Sequence, residues 1–379
     1  MRFVQMGTII AIAALLASCA SPPLPPPSPG APAAAGSRPG DSGPLPAPMV
    51  QGKSRWVAVR WAELPGFEED QLFEGWNAWL KSCERPGPVF APLCAEVRRL
   101  SIASPEEQRN WMVSRLQPYR VENLQGAADG LLTSYYEPVL KASRQAGAGY
   151  EVPLYRPPAS LASRKPWYSR QEIETLPEAK SALRGREIAW LADPIEAMSL
   201  HIQGSGRLSM TEPDGSQRTV RVAYAGSNEQ PFRSVTQWLL DQGEGRMTAP
   251  WVESTKAWAA KNPQRLQQML WSNPRYTFFQ EQPLSELDAA FGPKGAQGVA
   301  LTPGRSIAVD PGSIPYGTPV WLASRGAAGS LQKLVLAQDT GSAIVGAVRA
   351  DYFAGTGPEA GQFAARMNQP LRLWVLWPR

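Results

Sequence analysis

Two aspartates near the end of the chain, Asp339 and Asp351, stand in a Gly-rich frame, LVLAQDTGSAIVGAVRADYFAGTGPEAG, that runs from Leu334 to Gly361. The apolar run Leu334–Ala337 predicts a buried strand that delivers Asp339. A Gly-rich turn follows, and a second short strand is expected to deliver Asp351, so that the two carboxylates end adjacent strands. Paired carboxylates in such a frame suit acid/base work on a large polar substrate, cleavage of a glycosidic bond among them. Asp310 lies in Asp-Pro-Gly, a turn-forming sequence that predicts a structural role, with the cleft as the alternative. Glu359, at the start of a short helix after Gly357-Pro358, is read as a first-turn residue that complements the helix dipole. The run Leu371–Leu376 predicts a closing strand.

The elements around this frame are mostly short strands. Glu68–Glu84 predicts a helix, with Leu72, Phe73, Trp76, Trp79 and Leu80 on one face, and Ser104–Leu116 a second, with Ser104 and Glu107 as a capping box. Gly130–Glu137 reads as a strand ended by Pro138. Tyr150–Arg156, Glu187–Asp193 and Ala197–Gln203 read as further strands, the last carrying His201 as a structural residue and running on through Gly204-Ser205-Gly206. Glu212-Pro-Asp-Gly-Ser predicts a hairpin turn into a return strand over Thr219–Ala225. Ser169–Leu176, Ser234–Gly243, Ser254–Lys261 and Pro263–Trp271 predict helices; Arg275–Phe279, Arg305–Val309 and Pro319–Leu322 predict strands. The expected organisation is a β-rich domain made of residues 50–137 and 273–379, with a second β-rich domain, residues 138–272, inserted between.

Composition narrows the chemistry. The 379 residues are 43% hydrophobic with a net charge of +5. Lys and Arg are scattered, which argues against nucleic acid and leaves an anionic polymer or membrane surface as partner. The single His, His201, removes most metal sites and any Ser-His-Asp triad not built on it, so neither a metal nor a cofactor is called for. Cys83 and Cys94 would close a short disulfide loop in an oxidising compartment; two buried free thiols are the alternative.

The first 18 residues read as an export signal, with Arg2 ahead of an apolar stretch around Ile9–Leu16 too short to span a bilayer. Leu16-Ala17-Ser18-Cys19 resembles the bacterial lipoprotein cleavage box, which implies cleavage before Cys19 and its acylation; an ordinary secretory signal with an incidental Cys is the alternative. Several acyl chains would anchor the protein stably, and Ala20 favours the outer membrane, facing the periplasm of a Gram-negative envelope. Residues 19–49, rich in Pro, Ala, Gly and Ser, read as an extended tether at ~3 Å per residue.

Six segments then carry a resemblance in chain order: TSYYEP (133–138), HIQGSGRL (201–208), AYAGSN (223–228), NPRYTFF (273–279), SIAVDPGSIPYGTPV (306–320) and AQDTGSAIVGAVRADYFAGTGPEAG (337–361). Together they resemble the membrane-bound lytic transglycosylase A family, and the C-terminal part resembles the 3D domain, its three aspartates falling at Asp310, Asp339 and Asp351. The resemblance implies a mainly β protein with helices: a six-stranded double-psi β-barrel, a smaller inserted β-barrel and a groove between them. It implies non-hydrolytic cleavage of the β-1,4 bond between N-acetylmuramic acid and N-acetylglucosamine in peptidoglycan, leaving a 1,6-anhydro end, with Asp351 matching the catalytic aspartate and Asp339 its neighbour. Ser342 and Val345 stand where Gly and Lys are usual. The implied partners are peptidoglycan strands and the outer membrane, with cell-wall synthases as further candidates.

In that reading Asp351 serves first as acid and then as base toward the substrate's own 6-hydroxyl, which gains from proximity. Its pKa must be raised, by burial or by Asp339. Candidate substrate-binding residues are Thr133, Tyr135, Tyr136, Gln203, Ser205, Gly206, Tyr224 and Asp310, with Phe278 as a further groove candidate. The competing readings are a glycoside hydrolase using the Asp pair with water, and a glycan-binding anchor without catalysis.

Overall fold

A computed structural model describes residues 41–147, 149–245 and 250–379. The export signal, Cys19 and most of the tether lie outside the described residues. The tether is shorter than expected at its far end: Asp41 is buried, its carboxylate accepts the Trp61 amide at 3.0 Å, and its carbonyl accepts Arg60 at 2.6 Å. A polar residue within the proline-rich stretch thus fixes the chain before the first strand.

Four strands open the fold: β1 (Met49–Gln51), β2 (Ser54–Ala58), β3 (Leu116–Asn123) and β4 (Gly130–Glu137). Six follow: β5 (Val139–Ser143), β6 (Val152–Tyr155), β7 (Glu187–Leu191), β8 (Ser205–Thr211), β9 (Gln217–Ser227) and β10 (Thr277–Pro283). Five close the chain: β11 (Ser306–Val309), β12 (Pro319–Gly326), β13 (Gly329–Asp339), β14 (Arg349–Thr356) and β15 (Asn368–Pro378).

Two barrel-like sheets result. The first has the order β1-β2-β3-β15-β12-β13-β11-β14-β4, and β4 also pairs with β15. The ring β15-β12-β13-β11-β14-β4 is therefore closed, with the N-terminal strands continuing from β15. Strand β15 makes this closure because it is long: Asn368–Leu371 pairs with β4, and the stretch from Leu371 onward pairs with β12 and β3. The second sheet has the order β10-β9-β8-β5-β7-β6, and its end strands β6 and β10 lie against each other.

The apolar run in β13 is covered on both faces, which is why it lacks alternation. Val335 and Ala337 point into the barrel core with Val320, Ile307 and Val375. Leu334 and Leu336 face a Trp-rich layer of Trp76, Trp79, Trp111 and Trp321. Trp321 comes from β12, and the other three from the helices Phe73–Ser82 and Pro105–Arg115, the second with Ser104 and Glu107 forming the expected capping box. Phe73 does not join the buried face; it is 65% exposed because it opens the helix. Buried Arg305 forms a two-pronged pair with Asp70, at 2.7 and 2.8 Å, and Asp70 also accepts the Leu334 amide at 2.8 Å. This charge-assisted set ties the layer to β13. A disulfide joins Cys83, which ends the first helix, to Cys94, which opens the helix Cys94–Arg99.

Two expectations are corrected by the second sheet. β10 pairs with β9, so the inserted sheet runs past residue 272, and Phe278 and Phe279 are fully buried within the insert. Phe278 therefore packs and does not face the cleft. The stretch read as a strand over Ala197–Gln203 is a helix, Pro194–Gln203. Asp193 caps it by accepting the Ile195 amide at 2.7 Å, Pro194 fits its first turn, and Gly204 ends it at φ +79°. A short apolar run does not distinguish a buried strand from a buried helix by itself; the Asp-Pro before it and the Gly after it were the informative residues.

Glu137 sits at the seam between the sheets. It is fully buried and receives Arg207 at 2.8 Å and Arg221 at 2.6 Å from the second sheet, and Thr356 at 2.8 Å from β14.

Candidate active site

Asp339 and Asp351 come together, although not from neighbouring strands. β11 lies between β13 and β14, and Ala308 is in register with Asp339 on one side and Asp351 on the other. Asp339 ends β13, as expected, whereas Asp351 is the third residue of β14. The strand that separates them is a crossover strand, parallel to β13 and antiparallel to β14, and sequence adjacency cannot reveal such an arrangement.

Asp351 faces Thr133 across the β14–β4 ladder. The Thr133 hydroxyl donates to Asp351 Oδ1, and Arg349 donates to the same hydroxyl oxygen at 2.7 Å. A guanidinium has donors and no acceptor, so the threonine oxygen accepts from Arg349 and its proton must point to Asp351. Oδ1 is thereby occupied as an acceptor, and Oδ2 is the oxygen left for another partner. Burial pushes the Asp351 carboxyl up to about 6, and the charge of Asp339 adds to this; the Thr133 hydrogen bond and the Arg349 charge hold it down. Arg349 and Thr133 form a chain to the carboxylate that the sequence reading did not assign. Its only signal was an arginine two residues before Asp351, on the same side of the strand.

Asp339 is in a different state. Oδ2 accepts the Tyr135 hydroxyl at 2.8 Å and Oδ1 accepts the Ala296 amide at 2.9 Å; the Thr340 amide also bonds the carboxylate. Burial raises its pKa, and these donors oppose the rise. Tyr135 is pushed well above the usual tyrosine range by burial and by Asp339. Tyr135 and Thr133 thus share the face of β4 that serves the carboxylates, as alternation requires. Tyr136 points the other way, into a separate cavity of about 330 Å³ lined also by Trp251 and Phe232, while its amide donates to Gln203 Oε1 at 3.0 Å.

A cleft of about 590 Å³ opens beside Asp339. Tyr135, Thr340 and Ser342 line it from the barrel; Gln203, Ser205 and Tyr224 line it from the second sheet. Tyr224 is 53% exposed and offers a bare aromatic face. Two assigned residues have other positions. Gly206 is close-packed: a Cβ there would lie 2.5 Å from Leu200, so the glycine serves helix packing, not ligand approach. Asp310 is buried and accepts Lys53 at 3.0 Å and the amides of Gly312 and Gly346, each at 2.9 Å; these contacts hold its pKa low and make it a clamp between loops. His201 lies on the helix that borders the cleft; burial and the Arg170 charge keep it neutral, well below the usual histidine range. Glu359 does occupy the first turn of the helix Pro358–Arg366. Among the described residues no group of three or more His, Cys, Asp or Glu could hold a metal ion.

The chain matches two family descriptions, the MltA specific insert domain over residues 131–280 and the 3D domain over residues 305–377. It is 30% identical over 280 residues to the membrane-bound lytic murein transglycosylase A of Escherichia coli, covering 71% of this chain and 72% of that protein. Among solved structures it resembles the lytic transglycosylase LtgG of Burkholderia pseudomallei, at 41% identity and a TM-score of 0.59, covering 89% of this chain and 100% of that one. It also resembles MltA of Neisseria gonorrhoeae, at 27% identity and a TM-score of 0.72, covering 89% and 96%. Escherichia coli MltA with bound chitohexaose, 23% identical with a TM-score of 0.67 and covering 85% and 94%, shares the fold.

Proposed function

We propose that this chain, which belongs to the membrane-bound lytic murein transglycosylase A family and is a peptidoglycan lytic transglycosylase, works with Asp351 as its only proton-transferring carboxyl. The bond cleaved is the β-1,4 link from N-acetylmuramic acid to N-acetylglucosamine. Asp351 gives its proton to the glycosidic oxygen as the bond to the muramoyl C1 breaks. The resulting carboxylate then takes the proton of the same sugar's 6-hydroxyl as O6 bonds to C1. The products are a new 4-hydroxyl and a 1,6-anhydro end, no water is consumed, and Asp351 returns protonated.

The observation that carries this reading is the unequal state of the two carboxylates. Asp351 has Oδ1 held by Thr133, Oδ2 without a hydrogen bond among the described residues, and a carboxyl pushed up to about 6, which keeps a share of it protonated near neutrality. Asp339 has each oxygen engaged by a donor, which supports a positioning role and leaves it poorly placed to activate water. Tyr224 supplies an aromatic face for a sugar ring, and Gln203 and Ser205 supply polar groups.

We place the protein on the periplasmic face of the outer membrane, held by a lipid on Cys19; among the described residues no helix is long and apolar enough to cross a membrane. Cys19→Ala should release it to the soluble fraction, and unchanged membrane fractionation would count against the anchor.

The role assignment is tested by Asp351→Asn and Asp339→Asn side by side on purified peptidoglycan. Asp351→Asn should lower kcat on the order of 10³-fold, a general-acid loss, while glycan binding persists. Substantial turnover by that variant would sink the assignment.

A further inference from the structure

The cleft carries a charge imbalance that cleavage does not require. Among the described residues Asp339 is the only acidic one lining it, and both its oxygens are already engaged. Two permanent cations line the same cleft, Arg275 and Lys294. Arg275 is half-buried at the entrance to β10, and its guanidinium donates only to neutral oxygens, the Gln230 carbonyl and the Ser227 hydroxyl, each at 3.1 Å. Lys294 is exposed on the loop that passes Asp339. Neither side chain enters an ion pair among the described residues, whereas Arg207, Arg221 and Arg305 have carboxylate partners. His201, also on the cleft wall, is neutral and contributes no charge.

A cation that lacks a protein counter-charge and borders a ligand cleft is available to a carboxylate of the ligand. An uncharged glycan would give these two side chains nothing to pair with. We propose that Arg275 and Lys294 read a free carboxylate on the glycan strand, so that the enzyme selects anionic strands over neutral ones. The inference rests on the peptidoglycan reading above. Two sources offer the same chemistry: the lactyl carboxylate of a muramoyl residue without a stem peptide, and the carboxylates of the stem peptide itself.

The test compares kcat/KM on three substrates: peptide-free muramoyl glycan strands, the same strands with their carboxylates converted to methylamides, and strands bearing stem peptides. The native enzyme should cleave peptide-free or peptide-bearing strands roughly tenfold faster than the amidated ones, the scale of a hydrogen bond to a charged group. Lys294→Met, at an exposed position that should not disturb folding, and Arg275→Met should each lower the rate on carboxylate-bearing strands more than on amidated strands. The preference of the native enzyme should also weaken with added salt. A preference lost on peptide-free strands assigns the lactyl carboxylate; one lost only on peptide-bearing strands assigns the peptide. Equal native rates on charged and amidated strands would overturn the proposal, as would a preference that survives in both variants. Failure of the native enzyme on every strand would instead overturn the transglycosylase reading.

Discussion

The barrel lines the cleft with the end of β13 and Tyr135 of β4, whereas the second sheet reaches it with the close of one helix, the start of β8 and an exposed ring on β9. On the barrel side the donors are fixed by the ladder itself. Asp351 is opposite Thr133 because β14 and β4 are in register, and Arg349 reaches Thr133 from two residues before Asp351. On the other side Tyr224 is half out in solvent and Gln203 ends a helix. The contrast separates two jobs. In the proposed mechanism the groups that hold a proton within hydrogen-bond reach sit on strands of the closed ring, and the groups offered to a long polymer sit on a sheet tied to the barrel at the Glu137 seam.

That division can be broken in four places. The largest effect should come from the seam itself. Glu137→Gln removes the carboxylate shared by Arg207 and Arg221 in a fully buried site, and breaking such a set costs about 3–5 kcal/mol. Urea denaturation should show the loss; a variant as stable as the parent would mean that the two sheets are held together elsewhere.

Asp339→Asn should lower kcat roughly tenfold by loosening Tyr135 and the loop at Ala296. It should also move the pH profile. The Asp339 charge raises the Asp351 pKa, so its removal lowers that pKa, and the limb of kcat/KM that falls with rising pH should move down from near pH 6.

Thr133→Val should reduce kcat by a smaller factor, about fivefold, and shift the same limb in the opposite direction. The hydrogen bond it removes holds the Asp351 carboxyl down, so its loss lets the pKa rise. Opposed shifts from two barrel residues are hard to produce by general damage; shifts of the same sign would refute the electrostatic account.

The smallest effect belongs to the second sheet. Tyr224→Ala should raise KM about threefold with kcat nearly unchanged, the cost of one partly exposed aromatic contact. A fall in kcat without a change in KM would erase the distinction between the two walls.

The raised Asp351 pKa also has a thermodynamic side. A carboxyl whose folded pKa lies at about 6, above its unfolded 3.8, favours the fold when protonated. That contribution is complete below the unfolded value and is lost as pH rises through the folded one. Asp351→Asn should therefore stabilise the protein at pH 8 relative to pH 4, by up to ~3 kcal/mol.

The sequence carried the barrel side of the site better than the second sheet. The run at Leu334–Ala337, the Gly-rich turn after it and Asp339 mark a strand and its end locally, and these local signals survive in the fold. What could not be read was lateral order, because β11 enters between β13 and β14 from a position 20 or more residues earlier. The helix Pro194–Gln203 was misread because its buried apolar run masked its period, although Asp193-Pro194 and Gly204 bracket it. Gly206 looked like a ligand residue and serves packing, and Asp310, for which its turn predicted a structural role with the cleft as the alternative, serves as a loop clamp. The Arg349–Thr133–Asp351 chain joins residues 218 positions apart and exists only through register.

The central claim, one carboxyl carrying both proton transfers with the substrate's own hydroxyl as nucleophile, is tested most directly by mass spectrometry of peptidoglycan digested in H2(18)O. Every new muramoyl end should be 18 mass units lighter than its reducing counterpart, as an anhydro ring requires, and should contain no 18O. Reducing ends labelled with 18O would show that water, not O6, attacks C1, and would contradict the account.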